Sequence, residues 1–340
     1  MSTNRAWGGL GSILAALLVA CSADTSHSVA EFAASRHPLP PPGTDVVGSL
    51  AAVRARASDS LLGLARNFDV GHDEILDANP EVNPELPGGG ARVLIPTQHI
   101  LPPGLREGIV VNLAALRLYY YPADGHTVIT HPAGIGRGSW ATPEGNARVV
   151  SKDIDPVWRI PPSIRTESAR LGETLPAVVP PGPDNPLGQY ALRLNLPGYL
   201  IHGTNRPYGI GMRVSHGCIQ LYPEDISALF PKVPVGTKVT VINRPYLIGR
   251  IAGHPYLEAH PPQEDDATQD RAELLARLHQ SAQEAGVDVT NIHWEQALRI
   301  ARMARGVPLP IYRGAPAPEV VLASVPLVES AATTNAWLVK

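Results

Sequence analysis

The chain lacks several features that would place a protein quickly in a class. Its formal net charge is only −3 over 340 residues, so it has no basic footprint for nucleic acid. The sequence shows no internal repeat and, after residue 20, no hydrophobic stretch long enough to cross a membrane. Phenylalanine is scarce, at three residues against 35 prolines, which favours compact cores separated by turns and linkers. The length is consistent with two or three modest domains.

Cysteine is scarce as well, and one of the two cysteines, Cys21, closes an apparent export signal. The apolar stretch 13–20 is too short to span a bilayer but fits the core of a secretory signal. The run Leu18-Val19-Ala20-Cys21 resembles the bacterial lipobox, which implies that Cys21 is lipidated and becomes the mature N-terminus. Ser22 follows, and in enteric-type bacteria this implies sorting to the outer membrane. The alternative is an ordinary cleaved signal, and in both cases the protein acts outside the cytoplasm.

Lipidation of Cys21 would leave Cys218 without an intramolecular disulfide partner in an oxidising compartment. His202 and His216 lie sixteen and two residues upstream of this cysteine, so a thiol nucleophile and a base are available together. Spacing alone does not choose between the two histidines as the base. Gly217 would let a substrate carbonyl approach the backbone N–H groups of Gly217 and Cys218, as an oxyanion hole requires.

Two other interpretations of the same residues remain open. Cys218 could be a buried small hydrophobe with incidental histidines beside it. His202, His216 and Cys218 could instead hold zinc, although the spacing lacks the usual paired pattern and no fourth ligand is evident.

The pattern along the chain predicts a division into six parts. They are a signal peptide (1–20), a tether (21–45), a small helical unit (46–97), a strand-rich domain (104–244), a helical subdomain (245–313) and a low-complexity tail (314–340).

The unit at 46–97 contains two short helices followed by a strand. Asp59 is expected to cap a helix over 60–67, and Asp73 a second helix over 74–79. The apolar run 92–95 follows a glycine-rich turn and predicts a strand. With an opening strand near Val46 or Val53, this βααβ order resembles a LysM module, a family that binds peptidoglycan glycan strands through N-acetylglucosamine. A spacer that binds no sugar is the alternative.

Residues 104–244 show the alternation of apolar and other positions that predicts a mostly β fold. A hairpin turns at 112–115, and one short helix is expected at 223–230. The other predicted strands cover 128–131, 148–151, 190–196, 199–202 and 238–243. Two amphipathic helices at 268–284 and 291–305 are expected to pack on this β domain as a C-terminal cap.

The runs His202-Gly-Thr-Asn205, Ser215-His216-Gly217-Cys218 and Ala141-Thr-Pro-Glu-Gly145 resemble the signature of the YkuD-type L,D-transpeptidase catalytic domain. A LysM-like unit before such a domain is similar to the order in Gram-negative periplasmic members. The resemblance implies a β-rich catalytic domain that needs no cofactor and no metal.

Carried onto this sequence, the resemblance implies that Cys218 is the nucleophile, His202 the general base and the Gly203 carbonyl the group that orients the imidazole. The residues implied to shape the oxyanion site and the substrate cleft are Ser215, His216 and Gly217.

Arg213 and Gln220 are candidates for substrate recognition, with alternatives left open. Arg213 is a candidate for binding a stem-peptide carboxylate, and a structural salt bridge is an equal alternative. Gln220 stands where the family usually has Asn or Arg. Because an amide carries no charge, this departure bears on recognition of the acceptor more than on acylation.

The implied reaction is a two-step acyl transfer on peptidoglycan stem peptides. The thiol attacks the third residue of a tetrapeptide stem and expels the terminal D-Ala, and an amine then takes the acyl group. A second stem as acceptor gives a 3→3 cross-link, an outer-membrane lipoprotein gives a protein tethered to the wall, and water makes the enzyme an L,D-carboxypeptidase. A non-catalytic wall-binding lipoprotein is the alternative from another class, and a papain-like peptidase is disfavoured because the proposed base precedes the cysteine.

Overall fold

The computed structural model describes residues 35–104, 106–262 and 270–328. The predicted signal, the predicted lipidation site Cys21 and most of the predicted tether lie outside these residues, as does the end of the predicted tail from 329 onward. None of the helices in the described ranges combines the length and the apolar character needed to cross a bilayer.

The described residues form twenty strands and seven helices. The strands are β1 (Arg36–Pro38), β2 (Val46–Gly48), β3 (Ala51–Arg54), β4 (Arg92–Ile95), β5 (Gln98–Ile100), β6 (Gly108–Asn112), β7 (Arg117–Tyr121), β8 (Thr127–Pro132), β9 (Ile135–Gly136), β10 (Gly145–Ile154), β11 (Trp158–Arg159), β12 (Val178–Val179), β13 (Tyr190–Leu194), β14 (Leu200–His202), β15 (Arg213–Ser215), β16 (Ile219–Gln220), β17 (Lys238–Ile242), β18 (Tyr246–Ile251), β19 (His254–Ala259) and β20 (Leu309–Pro310). The helices are α1 (Leu61–Asn67), α2 (His72–Ala78), α3 (Pro162–Arg170), α4 (Pro223–Leu229), α5 (Arg271–Glu284), α6 (Trp294–Met303) and α7 (Pro318–Ser324).

A nine-stranded sheet forms the centre of the molecule, in the order β1-β8-β7-β6-β17-β10-β13-β14-β16. The predicted hairpin is confirmed as the antiparallel pair β6–β7, in which Val111 lies opposite Leu118. Two pairs in the sheet are parallel, β6 with β17 and β14 with β16. The mostly β character expected of this region is therefore confirmed.

One face of this sheet is covered by α4, which buries Ile226 and Leu229 against it. The apolar side chains from the strands in this core include Ile109, Leu192 and Val239, all with no accessible surface. Burying side chains of this size stabilises a fold by about 1.5–3 kcal/mol each. The edge of the sheet that carries β14 and β16 is thus fixed to the main core.

A second helix in this domain, α3, was not predicted from the sequence. It begins at a proline, which favours the first turn of a helix. It buries only Ile164, so its sequence has no apolar stripe with helical period. The expectation of a single helix in the β domain was therefore wrong.

The small unit has the βααβ order expected from the sequence, and β3 pairs antiparallel with β4. The predicted caps were wrong at both helices. Ser60 caps α1 by accepting from Gly63 N–H at 3.1 Å, whereas Asp59 accepts from Arg56 N–H. The second helix begins at His72, and Glu74 accepts from the N–H of Gly71 at 2.6 Å, so Asp73 lies inside the first turn.

The C-terminal helices do not cap the large sheet as expected. They pack on a separate three-stranded sheet, β18-β19-β20, and their apolar residues share a core with the small unit through Ala52 and Leu94. The region 245–313 is therefore a mixed unit in which β18 and β19 form a hairpin. The predicted tail also contains structure, because α7 forms within it and Val328 N–H donates to Ala52 O at 2.8 Å.

The small unit is docked on the β domain by backbone contacts close to the motif. The N–H groups of His72 and Asp73 donate to the carbonyls of Ile210 and Gly211 at 2.9 and 3.1 Å. A Cβ on Gly71 would lie 2.7 Å from the Cα of Gly211, so neither glycine could carry a side chain without a shift. The loop that leads into β15 is therefore held by the start of α2.

Buried charged side chains fasten the same interface. Arg117 of β7 contacts both carboxylate oxygens of Glu74, at 2.7 and 2.8 Å. His131 of β8 lies 3.1 Å from Asp69 and 3.2 Å from Asp225 of α4. These pairs join the small unit to β7 and β8 and to α4, the helix after the motif.

Candidate active site

His202 is the last residue of β14, and Cys218 directly precedes β16, the strand that pairs parallel with β14. Ile201 is opposite Ile219, and His202 is opposite Gln220. Continued one residue beyond the start of β16, the alternation of side chains along a strand puts Cys218 on the side of the pair that carries His202. The strand pairing thus brings the segments that carry the thiol and the histidine next to each other, although the two residues are sixteen positions apart in the sequence.

His202 is buried, at 3% exposure, and backbone carbonyls orient its ring. Its Nδ1 lies 2.6 Å from the Gly203 carbonyl; because a carbonyl only accepts, Nδ1 carries the hydrogen and Nε2 is left with a lone pair. Burial lowers the pKa of His202 to about 4, against the smaller raising effect of the Gly203 and Leu187 carbonyls. At neutral pH the ring is therefore an uncharged base.

Cys218 is half-buried and forms no disulfide. Burial raises the pKa of its thiol to about 11, although the backbone N–H of Leu200 has a smaller lowering effect. The thiol donates to the Gly198 carbonyl at a sulfur–oxygen distance of 3.5 Å. The resting pair is thus a thiol and a neutral imidazole, so the proton has to move when a substrate is attacked.

Hydrogen bonds of the Ser215 side chain stabilise the loop between β15 and β16. Ser215 Oγ donates to the Cys218 carbonyl at 2.6 Å and accepts from Gly217 N–H at 3.1 Å. Ser215, which the resemblance implies shapes the oxyanion site and the substrate cleft, is buried, and its hydroxyl is directed into the loop. Gly217 has φ +102°, and a Cβ there would lie 2.8 Å from Tyr199 Cε1. Only glycine fits this position without strain.

His216 is turned toward α3 and away from the base position. Its Nε2 lies 2.7 Å from Glu167 and 3.3 Å from the Arg137 guanidinium. Trp140 packs edge-on against the ring at 5.1 Å. The hydrogen bond from His216 lowers the pKa of the Glu167 carboxyl. Between the two histidines considered as base, this geometry favours His202, since His216 is bound to a carboxylate.

Arg213 and Gln220 flank the motif in different ways. The Arg213 guanidinium donates to the Leu113 carbonyl at 3.3 Å, a partner that neither sequence interpretation named. Gln220 exchanges two backbone hydrogen bonds with Gly134, at 2.8 and 2.9 Å. Gln220 lies directly opposite His202, so its side chain is on the same face as the proposed base and nucleophile.

The zinc interpretation predicted that His202, His216 and Cys218 converge. Within the described ranges, the group of possible metal-ligating side chains that does converge is Asp69, His131 and Asp225, whose ligand atoms lie within 4.8 Å of one another. That group lies at the interface with the small unit. His202 Nδ1 and His216 Nε2 are bound to Gly203 and Glu167, so each is already engaged.

With the geometry in place, comparison with known proteins identifies the family. Residues 106–241 match the family model of the L,D-transpeptidase catalytic domain. A probable L,D-transpeptidase, YcfS, of Escherichia coli is 39% identical over 294 residues, which cover 85% of this chain and 92% of that protein. The chain belongs to the L,D-transpeptidase family. It is therefore an L,D-transpeptidase-type acyltransferase, as the sequence resemblance indicated.

The chain is also similar to other proteins that are named L,D-transpeptidases. The probable L,D-transpeptidase ErfK/SrfK of Salmonella typhimurium is 46% identical over 230 residues, covering 66% of this chain and 74% of that protein. The catalytic domain of the Enterococcus faecium L,D-transpeptidase, solved by NMR, is 26% identical with a TM-score of 0.31, covering 40% of this chain and 96% of that domain.

Sequence reasoning did not assign parts to two residues that contact the motif. Thr142 lies in the Ala141–Gly145 run quoted for the family resemblance, and its hydroxyl donates to the Gly217 carbonyl at 2.9 Å. Glu167 lies on α3, the helix that the sequence did not predict. The run around Thr142 was a usable signal, whereas nothing in the sequence near Glu167 indicated its contact with His216.

Proposed function

We propose that the protein is a peptidoglycan L,D-transpeptidase in which Cys218 is the nucleophile and His202 the general base. The observation that carries the proposal is that Cys218 directly precedes the strand paired with the one that ends at His202, and that His202 Nδ1 is bound to Gly203 O. With the Nδ1 hydrogen directed at Gly203, Nε2 carries the lone pair that would accept the proton of the thiol. Gly203 is thus the orienting group, as in a nucleophile–base–orienter arrangement.

The proposed donor is a tetrapeptide stem. Sγ attacks the carbonyl carbon of its third residue while the thiol proton passes to His202, and a negative charge forms on the carbonyl oxygen. The carbon–nitrogen bond to the terminal D-Ala then breaks, and D-Ala leaves with the proton. An amine attacks the thioester, forms a new amide and returns the thiol. The amine of a second stem gives a 3→3 cross-link, and that of an outer-membrane lipoprotein gives attachment to the wall.

The remaining motif residues are proposed to serve the same reaction. The peptide group between Gly217 and Cys218 forms the backbone at the oxyanion site, and His216 holds that loop against α3. Gln220 and Arg213 lie beside the motif, where they are available for the acceptor or for the stem peptide. The amide of Gln220 is next to the proposed base in the strand register, which supports a part in acceptor binding.

The test is product analysis with a purified disaccharide-tetrapeptide. Wild-type protein is expected to release D-Ala and to form cross-linked dimers, whereas His202→Gln forms neither. His126→Gln is the matched control, because His126 is exposed in the turn before β8. Tripeptides without dimers would favour the carboxypeptidase alternative. A His202→Gln variant as active as the control would overturn the assignment of the base.

The proposal extends to the small unit and to location. Residues 46–97 are proposed to bind glycan strands as a LysM-like module, and a chitin-oligosaccharide titration that shows no binding would leave this unit as a spacer. The protein is proposed to act in the periplasm, held at the outer membrane by lipid on Cys21. Cys21→Ser is then expected to move the protein from the membrane fraction to the soluble fraction.

A further inference from the structure

The peptide group between Gly217 and Cys218 is held on its carbonyl side by a buried threonine. Thr142 Oγ1 donates to the Gly217 carbonyl at 2.9 Å and accepts from Gly136 N–H at 3.0 Å. Thr142 is 5% exposed, so water does not compete readily for these bonds. The single proton of the hydroxyl is therefore committed to the Gly217 oxygen.

The N–H side of the same peptide group is open. A trans peptide is planar, so the Cys218 N–H points opposite to the Gly217 carbonyl, away from the buried Thr142. The ladder between β14 and β16 begins at Ile219, and in the described part of the chain the Cys218 N–H donates to no protein acceptor. The Gly217 N–H, in contrast, is used by Ser215. The sequence had assigned the oxyanion site to both N–H groups, and the structure leaves Cys218 as the one available.

The segment from Gly136 to Thr142 packs closely against the backbone of the motif. A Cβ on Gly136 would lie 2.1 Å from the Trp140 carbonyl and 2.6 Å from Thr142 N. A Cβ on Gly217 would lie 3.5 Å from the same Trp140 carbonyl. The segment is therefore packed closely at Gly136 and in ordinary van der Waals contact at Gly217. Loss of the hydrogen bond from Thr142 should then allow the Gly217–Cys218 peptide group to rotate.

We propose that Thr142 is a positioning residue for acyl transfer. Its hydroxyl holds the Gly217 carbonyl so that the Cys218 N–H stays aimed at the oxygen that becomes negative when Sγ adds to the substrate carbonyl. A hydrogen bond accepted by a peptide carbonyl also polarises the peptide and strengthens its N–H as a donor. This inference rests on the proposed role of Cys218 and adds a residue that does not touch substrate.

The test compares two reactions of the same thiol in the full chain. Acylation by the disaccharide-tetrapeptide forms an oxyanion, whereas alkylation by iodoacetamide does not. Thr142→Val removes the hydroxyl at nearly constant shape, and Thr142→Ser keeps it. Thr240→Val is the control, since Thr240 lies on β17 and its hydroxyl contacts Asn146.

Thr142→Val is expected to lower the maximal acylation rate by about tenfold to a hundredfold, the scale on which misplaced or lost oxyanion donors act. The substrate concentration at half-maximal rate and the alkylation rate should stay at wild-type values, and Thr142→Ser should restore acylation. If Thr142→Val does not fold, as judged by thermal melting, Thr142→Ala takes its place in the same comparison.

Three outcomes would overturn the inference. Acylation of Thr142→Val at the wild-type rate would remove the positioning role. An equal fall in acylation and alkylation would indicate general damage to the loop. Absence of acylation in the wild-type protein itself would contradict the proposed function, on which this inference rests. It differs from the first two outcomes because in those the wild-type protein is acylated and only the Thr142→Val variant decides the result.

Discussion

Replacing Glu74 by Gln changes one charge at the interface between the small unit and the β domain. Both Glu74 oxygens contact the Arg117 guanidinium, and one of them also accepts from Gly71 N–H. Every neighbour of this carboxylate is thus a donor. A glutamine amide would turn an NH₂ group toward one of these donors, so the variant loses a hydrogen bond as well as the charge.

The magnitude follows from burial. Glu74 and Arg117 are 6% and 2% exposed, and removing one partner of a buried ion pair typically costs about 3–5 kcal/mol, because the other charge stays buried without compensation. Glu224→Gln is the matched control. Glu224 pairs with Arg66 across the same interface but its side chain is 50% exposed, and exposed pairs contribute about 0–1 kcal/mol.

Urea denaturation followed by circular dichroism measures both variants. The free energy of unfolding of Glu74→Gln should fall by about 3 kcal/mol or more relative to Glu224→Gln. Replacing both partners by apolar residues, Glu74→Leu with Arg117→Met, should recover part of the loss, since no charge is then left buried. A Glu74→Gln cost equal to that of Glu224→Gln would refute the view that this buried pair fastens the small unit.

The other predictions concern protonation and the helix α3. Burial lowers the pKa of His202 to about 4 and raises that of Cys218 to about 11. The acylation rate should therefore be flat between about pH 5 and 10 and fall only below that range. A bell-shaped rate profile centred near neutral pH would contradict this assignment. Burial alone would lower the pKa of His131, but the carboxylates of Asp225 and Asp69 outweigh it and raise the pKa to about 10. The stability that protonated His131 contributes is then lost as pH rises from about 6.5 to about 10, so His131→Gln should flatten that decline, and unchanged slopes would count against it. Glu167→Ala should speed limited proteolysis of residues 155–189, because it removes the bond from α3 to His216. Glu173→Ala is the control, since Glu173 is exposed in the same segment. Equal proteolysis rates for the two variants would contradict the view that the bond to His216 holds α3 in place.

The sequence predicted the elements that depend on local pattern. The β6–β7 hairpin followed from alternation around a short turn, and the motif was recognisable because its residues are close in sequence. The caps were less predictable, since Asp59 and Ser60 are both good N-cap residues and only the packing of the chain selects Ser60. The strands β18 and β19 were missed because Gly249 and Pro255 interrupt their pattern.

Contacts between distant parts of the chain could not be predicted in this way. Arg117 and Glu74 are 43 residues apart, and Thr142 and Gly217 are 75 apart. No periodicity or spacing relates such residues, and the contacts exist because the sheet order brings their segments together. The prediction for the motif therefore covered its chemistry, while the residues that hold it in place were found only in the structure.

The most direct test of the central claim is the intact mass of the protein after incubation with a disaccharide-tetrapeptide, beside a Cys218→Ala variant. The account predicts a mass gain equal to the donor minus D-Ala in the wild type and none in the variant. An adduct on the Cys218→Ala protein, or a folded wild type with an intact thiol and neither adduct nor product, would contradict it.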